Sequence, residues 1–482
     1  MIRGGCICVV VFVLLSPMSV LVPAKPAEDF DPLVNIVVSV DILEIRALST
    51  IDVGSAPDFF VTAFINGQEF RSPMWLNMTE VAPGPWTCSL DVPDDQALVN
   101  VTLSLWDASP DGDRICDISG SPGPAPDAYM LYLQYDIRTG KWNGSDSIGD
   151  PSGYGRAKGW DDGNGSERDC ELFFRVRQTD FDGDGIPYWA EVHFVGTDPT
   201  QNDSSLDPDG DGVPTAWEYA WGYDPFIWDD HEHLDPDGDG LSNALEYRMA
   251  PWRADPFRRD VFVEVDTMQT GPAGENSSIP SGAFELVRTP YAIHNIVLQF
   301  DRGSMGGGGD ILPFQNTTDR VDMKHLYETY FLHGNFSTWR RSVFRWCALV
   351  NHHPAIGVAF VGERAYLNAW HSKGSNCFEL SRYQVSQRYA NQSAAGVNFT
   401  CASVVMHELG HTFGRDRLFP FGCDSILAYY PHTIAHFLCK NYQSCLNYEF
   451  IYKILDYSDG SHGFGDHDDW RSLDFRFFLP PA

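Results

Sequence analysis

The sequence predicts a multidomain chain with an N-terminal all-β sandwich, a stalk of acidic repeats and a C-terminal α/β domain. Three observations carry this reading. Apolar residues alternate with period two through residues 30–177. One acidic motif recurs three times between residues 178 and 256. From residue 258 to 482, strand-like runs are mixed with an apolar helical segment. At 482 residues the chain exceeds one ordinary core, and its 43% hydrophobic content fits packed domains rather than disorder.

Residues 1–24 read as an export signal, which predicts a secreted, extracellular protein. Arg3 supplies a basic start, Cys6 to Leu15 an apolar run, and Val22-Pro23-Ala24 a small-residue cleavage site. Pro17 and Pro23 interrupt the apolar character, so cleavage is expected rather than anchoring. No transmembrane span is expected in the mature chain, and at most a loose association with a surface. N-x-[ST] sequons are dense, including Asn77, Asn100, Asn164, Asn391 and Asn398, as in exported glycoproteins. Without Cys6 and Cys8, Cys88, Cys116 and Cys170 remain in the first half. Cys347, Cys377, Cys401, Cys423, Cys439 and Cys445 form an even set that could close three bridges.

In the first domain, Val99, Val101, Leu103 and Leu105 alternate with Asn100, Thr102 and Ser104, the pattern of a half-buried strand. Ile36–Ile42, Phe60–Ile65, Met130–Tyr135 and Leu172–Val176 are further strands, separated by Gly, Pro, Asp and Asn clusters. The segment from Ile51-Asp52 through Ser55-Ala56-Pro57-Asp58-Phe59-Phe60-Val61 to Ile65-Asn66-Gly67 resembles the first half of a C2-like sandwich, a calcium-and-lipid-binding fold. The resemblance implies calcium ligands among Asp52, Asp58, Asp107 and Asp111. The alternative is that these aspartates only form turns.

The repeats begin at Asp180, Asp207 and Asp235, and each reads D-x-D-G-D-G-x5-E. The carboxylates are Asp180, Asp182, Asp184 and Glu191, then Asp207, Asp209, Asp211 and Glu218, then Asp235, Asp237, Asp239 and Glu246. Calcium takes ~6–8 oxygens. Carboxylates at positions 1, 3 and 5 wrap one side, glycine at 6 permits the turn, and glutamate at 12 closes the shell. The loops resemble EF-hand loops, and their close spacing resembles thrombospondin type-3 repeats. Structural calcium is the cofactor expected here.

In the third domain Val261, Val263 and Val265 alternate, Ile296–Phe300 and Ile356–Val361 are strand-like, and an edge strand is expected around Ala365–Trp370. A helix is expected from about Cys401, capped by Thr400 or Asn398. It carries Met406-His407-Glu408-Leu409-Gly410-His411-Thr412-Phe413-Gly414. Residues four apart share a helical face, so His407 and His411 are candidate ligands of one zinc ion. Zinc would acidify a water whose proton Glu408 takes as general base.

This string resembles the metzincin pattern H-E-x-x-H-x-x-G-x-x-H. The resemblance implies a third ligand just after the glycine, but Arg417 stands at that position. Asp424 and Asp416 are the candidates, with His432 and His436 in the same stretch. Ser444-Cys445-Leu446-Asn447-Tyr448 resembles the Met-turn, with Leu446 in place of methionine. It implies an apolar floor below the metal and a catalytic role for Tyr448, which is otherwise a core or surface tyrosine. A glutamate third ligand on a later helix is disfavoured, because Glu449 is the only later glutamate.

The expected function is zinc-dependent hydrolysis of peptide bonds in a protein or peptide substrate. The alternative is an extracellular calcium-dependent adhesion or binding protein with an inactive peptidase domain. A formal charge of -33 argues against nucleic acid and anionic membranes as partners.

Overall fold

The computed structural model describes residues 29–478 apart from 53, 85, 146–153, 163–167, 353–354, 361–375, 389–392, 416–422 and 425. The export signal, Asn164, Asn391, the expected Ala365–Trp370 strand and Asp416 lie outside the described residues.

Period-two alternation yields one dry face per strand, and two such faces close a sandwich. One antiparallel sheet centres on β1 (Val37–Ala47). On one side β1 pairs with β4 (Glu80–Val81) and β5 (Trp86–Asp91). On the other it pairs with β11 (Cys170–Gln178), which is followed by β10 (Gly155–Lys158). The second antiparallel sheet orders β3 (Gln68–Arg71), β2 (Phe59–Ile65), β6 (Leu98–Asp107), β8 (Leu131–Asp136) and β9 (Lys141–Gly144), with β7 (Arg114–Cys116) also on β6. Val38, Val40 and Ile42 of β1 pack with Val61 of β2, Val99, Val101, Leu103 and Leu105 of β6, and Leu172 of β11. Asn100 is exposed as expected, but Ser104 is buried, its hydroxyl accepting from Trp106 Nε1 at 2.9 Å and donating to Thr62 O at 3.3 Å.

The C-terminal sheet is mostly parallel. β12 (Asp260–Met268) lies between β13 (Val297–Asp301) and β15 (Phe344–Val350), with short β14 (Ile311–Leu312) against its end. Next come parallel β17 (Cys377–Ser381) and antiparallel β16 (Gly357–Ala359), which stands at the end of the described sheet. Both faces are covered, as parallel sheets require. Val261, Val263 and Val265 pack with residues of the Ser281–Ile293 and Ala394–His411 helices. Phe262 points the other way, into a cluster with Phe344, Trp346, Met323 and Leu326. The Ala394–His411 helix starts earlier than the sequence suggested. Ser393 caps it, its hydroxyl accepting from Gly396 N at 3.2 Å, while Thr400 lies buried inside.

The repeats share apolar clusters with both neighbours. Leu241, Met249 and Ala254 of the third repeat share a core with Phe262 and Phe344. Val213, Trp217 and Trp221 of the second pack with Tyr154 and Phe173 of the sandwich. The reason is the apolar residues interleaved with the carboxylates, which bury against both neighbours. The sandwich and the C-terminal domain also meet through charge. Lys158, fully buried, donates to Ala292 O at 3.2 Å, Ile293 O at 3.0 Å and Asn295 Oδ1 at 2.6 Å, capping the end of the Ser281–Ile293 helix. Buried Glu44 pairs with Arg46, Arg253 and Arg288.

Candidate metal centre

His407 and His411 lie one turn apart on an 18-residue helix that is buried from Thr400 to its end. Their Nε2 atoms are 3.2 Å apart. Asp424 faces both, with Oδ1 3.4 Å from His407 Nε2 and Oδ2 3.3 Å from His411 Nε2. His407 Nδ1 donates to Cys445 O at 2.8 Å, and His411 Nδ1 donates to Arg415 O. A carbonyl only accepts, so each Nδ1 carries the proton and each Nε2 presents a lone pair. Two such lone pairs repel at this distance unless a cation or proton lies between them. Donors ~2.05 Å from one ion at tetrahedral angles are ~3.3 Å apart. The two Nε2 atoms show that separation, and one Asp424 oxygen stands at a similar distance from each of them, so the residues fit a small divalent ion. Without a metal, burial lowers His407, but the Asp424 carboxylate facing it prevails and pushes it up to about 9.

Several groups hold these donors. Cys423, next to Asp424, is disulfide-bonded to Cys439, which ties Asp424 to the end of the Ile434–Cys439 helix. Cys445, whose carbonyl orients His407, belongs to the segment that also carries Leu446. A Cβ on Gly410 would meet Leu446 Cδ2 at 2.8 Å and the Tyr457 hydroxyl at 2.9 Å, so the glycine lets this floor touch the helix. Tyr457 donates to Met406 O at 2.6 Å, and its hydroxyl lies 2.9 Å from that of Tyr291. Gly414 follows the helix with φ +83, the left-handed conformation that turns the chain away.

Glu408 points into a cleft of about 470 Å³ lined by Ile356, Gly357, Val404, His407, Tyr429, Tyr430, Tyr448, Ile451 and Tyr452. A Cβ on Gly357 would lie 2.5 Å from Glu408 Oε1, so the end of β16 closes directly over this carboxylate. Burial first, with Asp424 adding and His407 opposing, pushes Glu408 up to about 7. Tyr448 is 40% exposed, its ring is 5.6 Å from that of His407, and it lies beside Asp424. The structure therefore brings together His407, Glu408, His411, Asp424 and Tyr448.

Other candidates lie elsewhere. His436 Nδ1 is 2.9 Å from Ala428 O and 3.1 Å from Glu449, so neither residue reaches the helix histidines. In the sandwich loops, Asp52 pairs with Arg114 at 2.9 Å. Asp107 accepts from Asp58 N at 2.9 Å, and Asp58 from Asn77 N at 2.7 Å. The expectation of three bridges in the last domain is corrected to the one bridge, Cys423–Cys439, among the described residues. Cys347 and Cys377 occupy adjacent strands but opposite faces, while Cys401 and Cys445 serve as small core residues. No local pattern marks Tyr457, Tyr291 or the Cys445 carbonyl, whose roles depend on contacts distant in the chain. The Cys423–Cys439 pair was legible only as one of many possible pairings.

The three acidic loops adopt one geometry. At position 6, Gly185, Gly212 and Gly240 have φ of +90, +99 and +94. Their N–H groups donate to Asp180, Asp207 and Asp235 at 2.8, 3.1 and 3.1 Å. Glu191, Glu218 and Glu246 are buried at the helical turns that follow. Oxygens of Asp182, Asp184, Glu191, Asp209, Glu218, Asp237 and Glu246 are buried without a protein donor. Burial and mutual repulsion push Asp184, Glu191 and Glu218 each up to about 8. Crowded carboxylates of this kind fit a hard divalent cation.

No family model and no curated protein matches the chain. Among solved structures it is similar, over 30% of its length, to a C2 domain at 10% identity and TM-score 0.20, covering 98% of that domain. It is similar over 30% of its length to a C2 domain of a plant extended synaptotagmin 1, at 12% identity and TM-score 0.20, covering 95% of that chain. It is also similar over 30% of its length to a human GIVD cytosolic phospholipase A2, at 18% identity and TM-score 0.20, covering 16% of that chain.

Proposed function

We propose that this chain is an exported, zinc-dependent endopeptidase stabilised by calcium in its acidic loops. The observation that carries the reading is that the Nε2 atoms of His407 and His411 stand 3.2 Å apart, each with an Asp424 oxygen 3.3–3.4 Å away, beside Glu408 in a cleft. His407, His411 and Asp424 would hold the zinc, which when bound supplies Lewis acidity and lowers the pKa of water.

Glu408 takes a proton from a water in the cleft and returns it to the leaving amine. Its burial, which raises its proton affinity to about 7, suits both transfers near neutral pH. Tyr448 directs its hydroxyl toward the oxyanion that develops on the substrate carbonyl, with Asp424 and the His407 ring setting its position. Ile451, Tyr452, Tyr429 and Tyr430 offer an apolar wall for a substrate side chain.

The test is casein hydrolysis by the purified mature protein in calcium, beside its Glu408→Gln variant and with a zinc chelator. A loss of ~10²–10⁴-fold in the variant is expected at unchanged zinc content. Equal rates for both proteins, with little zinc bound, would end the peptidase reading.

A further inference from the structure

We propose that the middle acidic loop is a second transition-metal site, in which Asp211, Glu218 and His231 hold a zinc-class ion in place of calcium. The proposal rests on the reading of the loops as cation sites and goes beyond it. Each loop receives a residue from the segment that follows it. Asp203 lies beside Asp184 of the first loop. Asp260 stands beside Asp239 of the third, its N–H on Asp239 Oδ2 at 2.6 Å. In the middle loop the corresponding residue is His231, whose Nε2 is 3.2 Å from Asp211 Oδ2 and 3.8 Å from Glu218 Oε1. The outer loops thus present oxygen alone, which suits calcium. The middle one adds an imidazole nitrogen, which suits zinc and its neighbours.

The burial of this cluster points to a bound ion. The side chains of His231, Glu218 and Asp211 are all 0% exposed. Both Glu218 oxygens and His231 Nε2 lack a hydrogen-bond partner, and one ligand atom from each of the three residues lies within 4.8 Å of the others. A protonated imidazole would reach Asp211 but not Glu218, whose nearest oxygen at 3.8 Å is beyond hydrogen-bond distance. A single divalent ion satisfies all three and removes the cost of two buried carboxylates.

The imidazole is also held as a ligand should be. His231 Nδ1 is 2.9 Å from the Asn243 amide, whose oxygen in the other amide orientation accepts Nδ1–H and leaves the Nε2 lone pair facing the carboxylates. Trp217 and Tyr223 meet the ring edge-on at centroid distances of 5.7 and 4.8 Å, fixing its plane.

The experiment counts metals per chain in the full-length mature protein after equilibration with zinc and calcium and removal of excess. Wild type, His231→Gln, His411→Gln and the double variant are compared. Glutamine returns an oxygen ligand, so His231→Gln keeps a calcium-filled loop and the fold. The wild type should hold two zinc and two calcium ions, and His231→Gln one zinc and three calcium. His411→Gln should keep the middle-loop zinc, and the double variant should hold none. One zinc per wild-type chain, unchanged in His231→Gln and lost in His411→Gln, would overturn this proposal and leave the peptidase centre standing. One zinc lost only in His231→Gln would uphold it and remove the peptidase centre. No calcium in any protein would defeat the reading of the loops. Anomalous diffraction at the zinc edge from wild-type crystals decides the same question without a variant. A peak among Asp211, Glu218 and His231 supports the site, and its absence there in zinc-soaked crystals overturns it.

Discussion

Tyr448 lines the cleft beside Asp424 and the His407 ring, and its proposed role is to donate its hydroxyl to a developing oxyanion. Tyr448→Phe is therefore expected to lower kcat by ~10–100-fold with little change in KM, because the lost bond matters only in the transition state. Steady-state kinetics on a peptide substrate checks this; a change in KM alone would assign the residue to binding. His407 carries a second prediction. In the proposed centre, zinc must displace the proton that Asp424 stabilises there up to about pH 9. The raised value means the proton is held below that pH and is lost above it. Apparent zinc affinity should accordingly rise about tenfold per pH unit from 7 to 9 and level off above. Competition with a chromophoric chelator reads this, and a flat profile would mean His407 is neutral in the metal-free protein.

The helix, the Cys423–Cys439 loop and the floor below them act as one clamp. Gly410→Ala places a methyl against Leu446 and Tyr457, for which overpacking of ~1–3 kcal/mol is expected. The urea midpoint should fall and zinc affinity with it. An unchanged midpoint would show that Leu446 moves aside freely. Cys439→Ser opens the loop that carries Asp424, with its sequence separation of 16, at a cost of ~3 kcal/mol to stability. Because Asp424 sits beside the bridge, zinc should dissociate faster in that variant, measurable by stopped-flow chelation.

For the whole molecule, the repeats share apolar cores with the sandwich and with the C-terminal sheet, so loss of calcium should be felt on both sides. A calcium-selective chelator is expected to lower Tm and expose residues 178–256 to proteolytic nicking. A nicking pattern indifferent to calcium would separate the loops from stability. Lys158→Met tests the direct junction. It strips the Ala292 and Ile293 carbonyls of a buried donor, a penalty of ~1–3 kcal/mol in urea unfolding.

The amino-acid sequence alone determined the features that depend on local spacing. Period-two runs placed β1, β2, β6, β8 and β11, while very short β3, β4, β7 and β10 carried too few residues to show a period. Residues 407, 408 and 411 on one helix, and carboxylates at positions 1, 3, 5 and 12 of each loop, were legible because the chain itself sets their separation. Tertiary structure decided what spacing cannot encode. It brought Asp424 rather than His436 to the helix histidines, because a bridge to Cys439 and the fold of the last domain position that loop. It merged the repeats with both neighbours, since Trp217, Trp221 and Met249 gain burial only where another surface meets them. It also set His231 opposite Asp211 and Glu218, a meeting of segments that share no local period, so only long-range packing produces it.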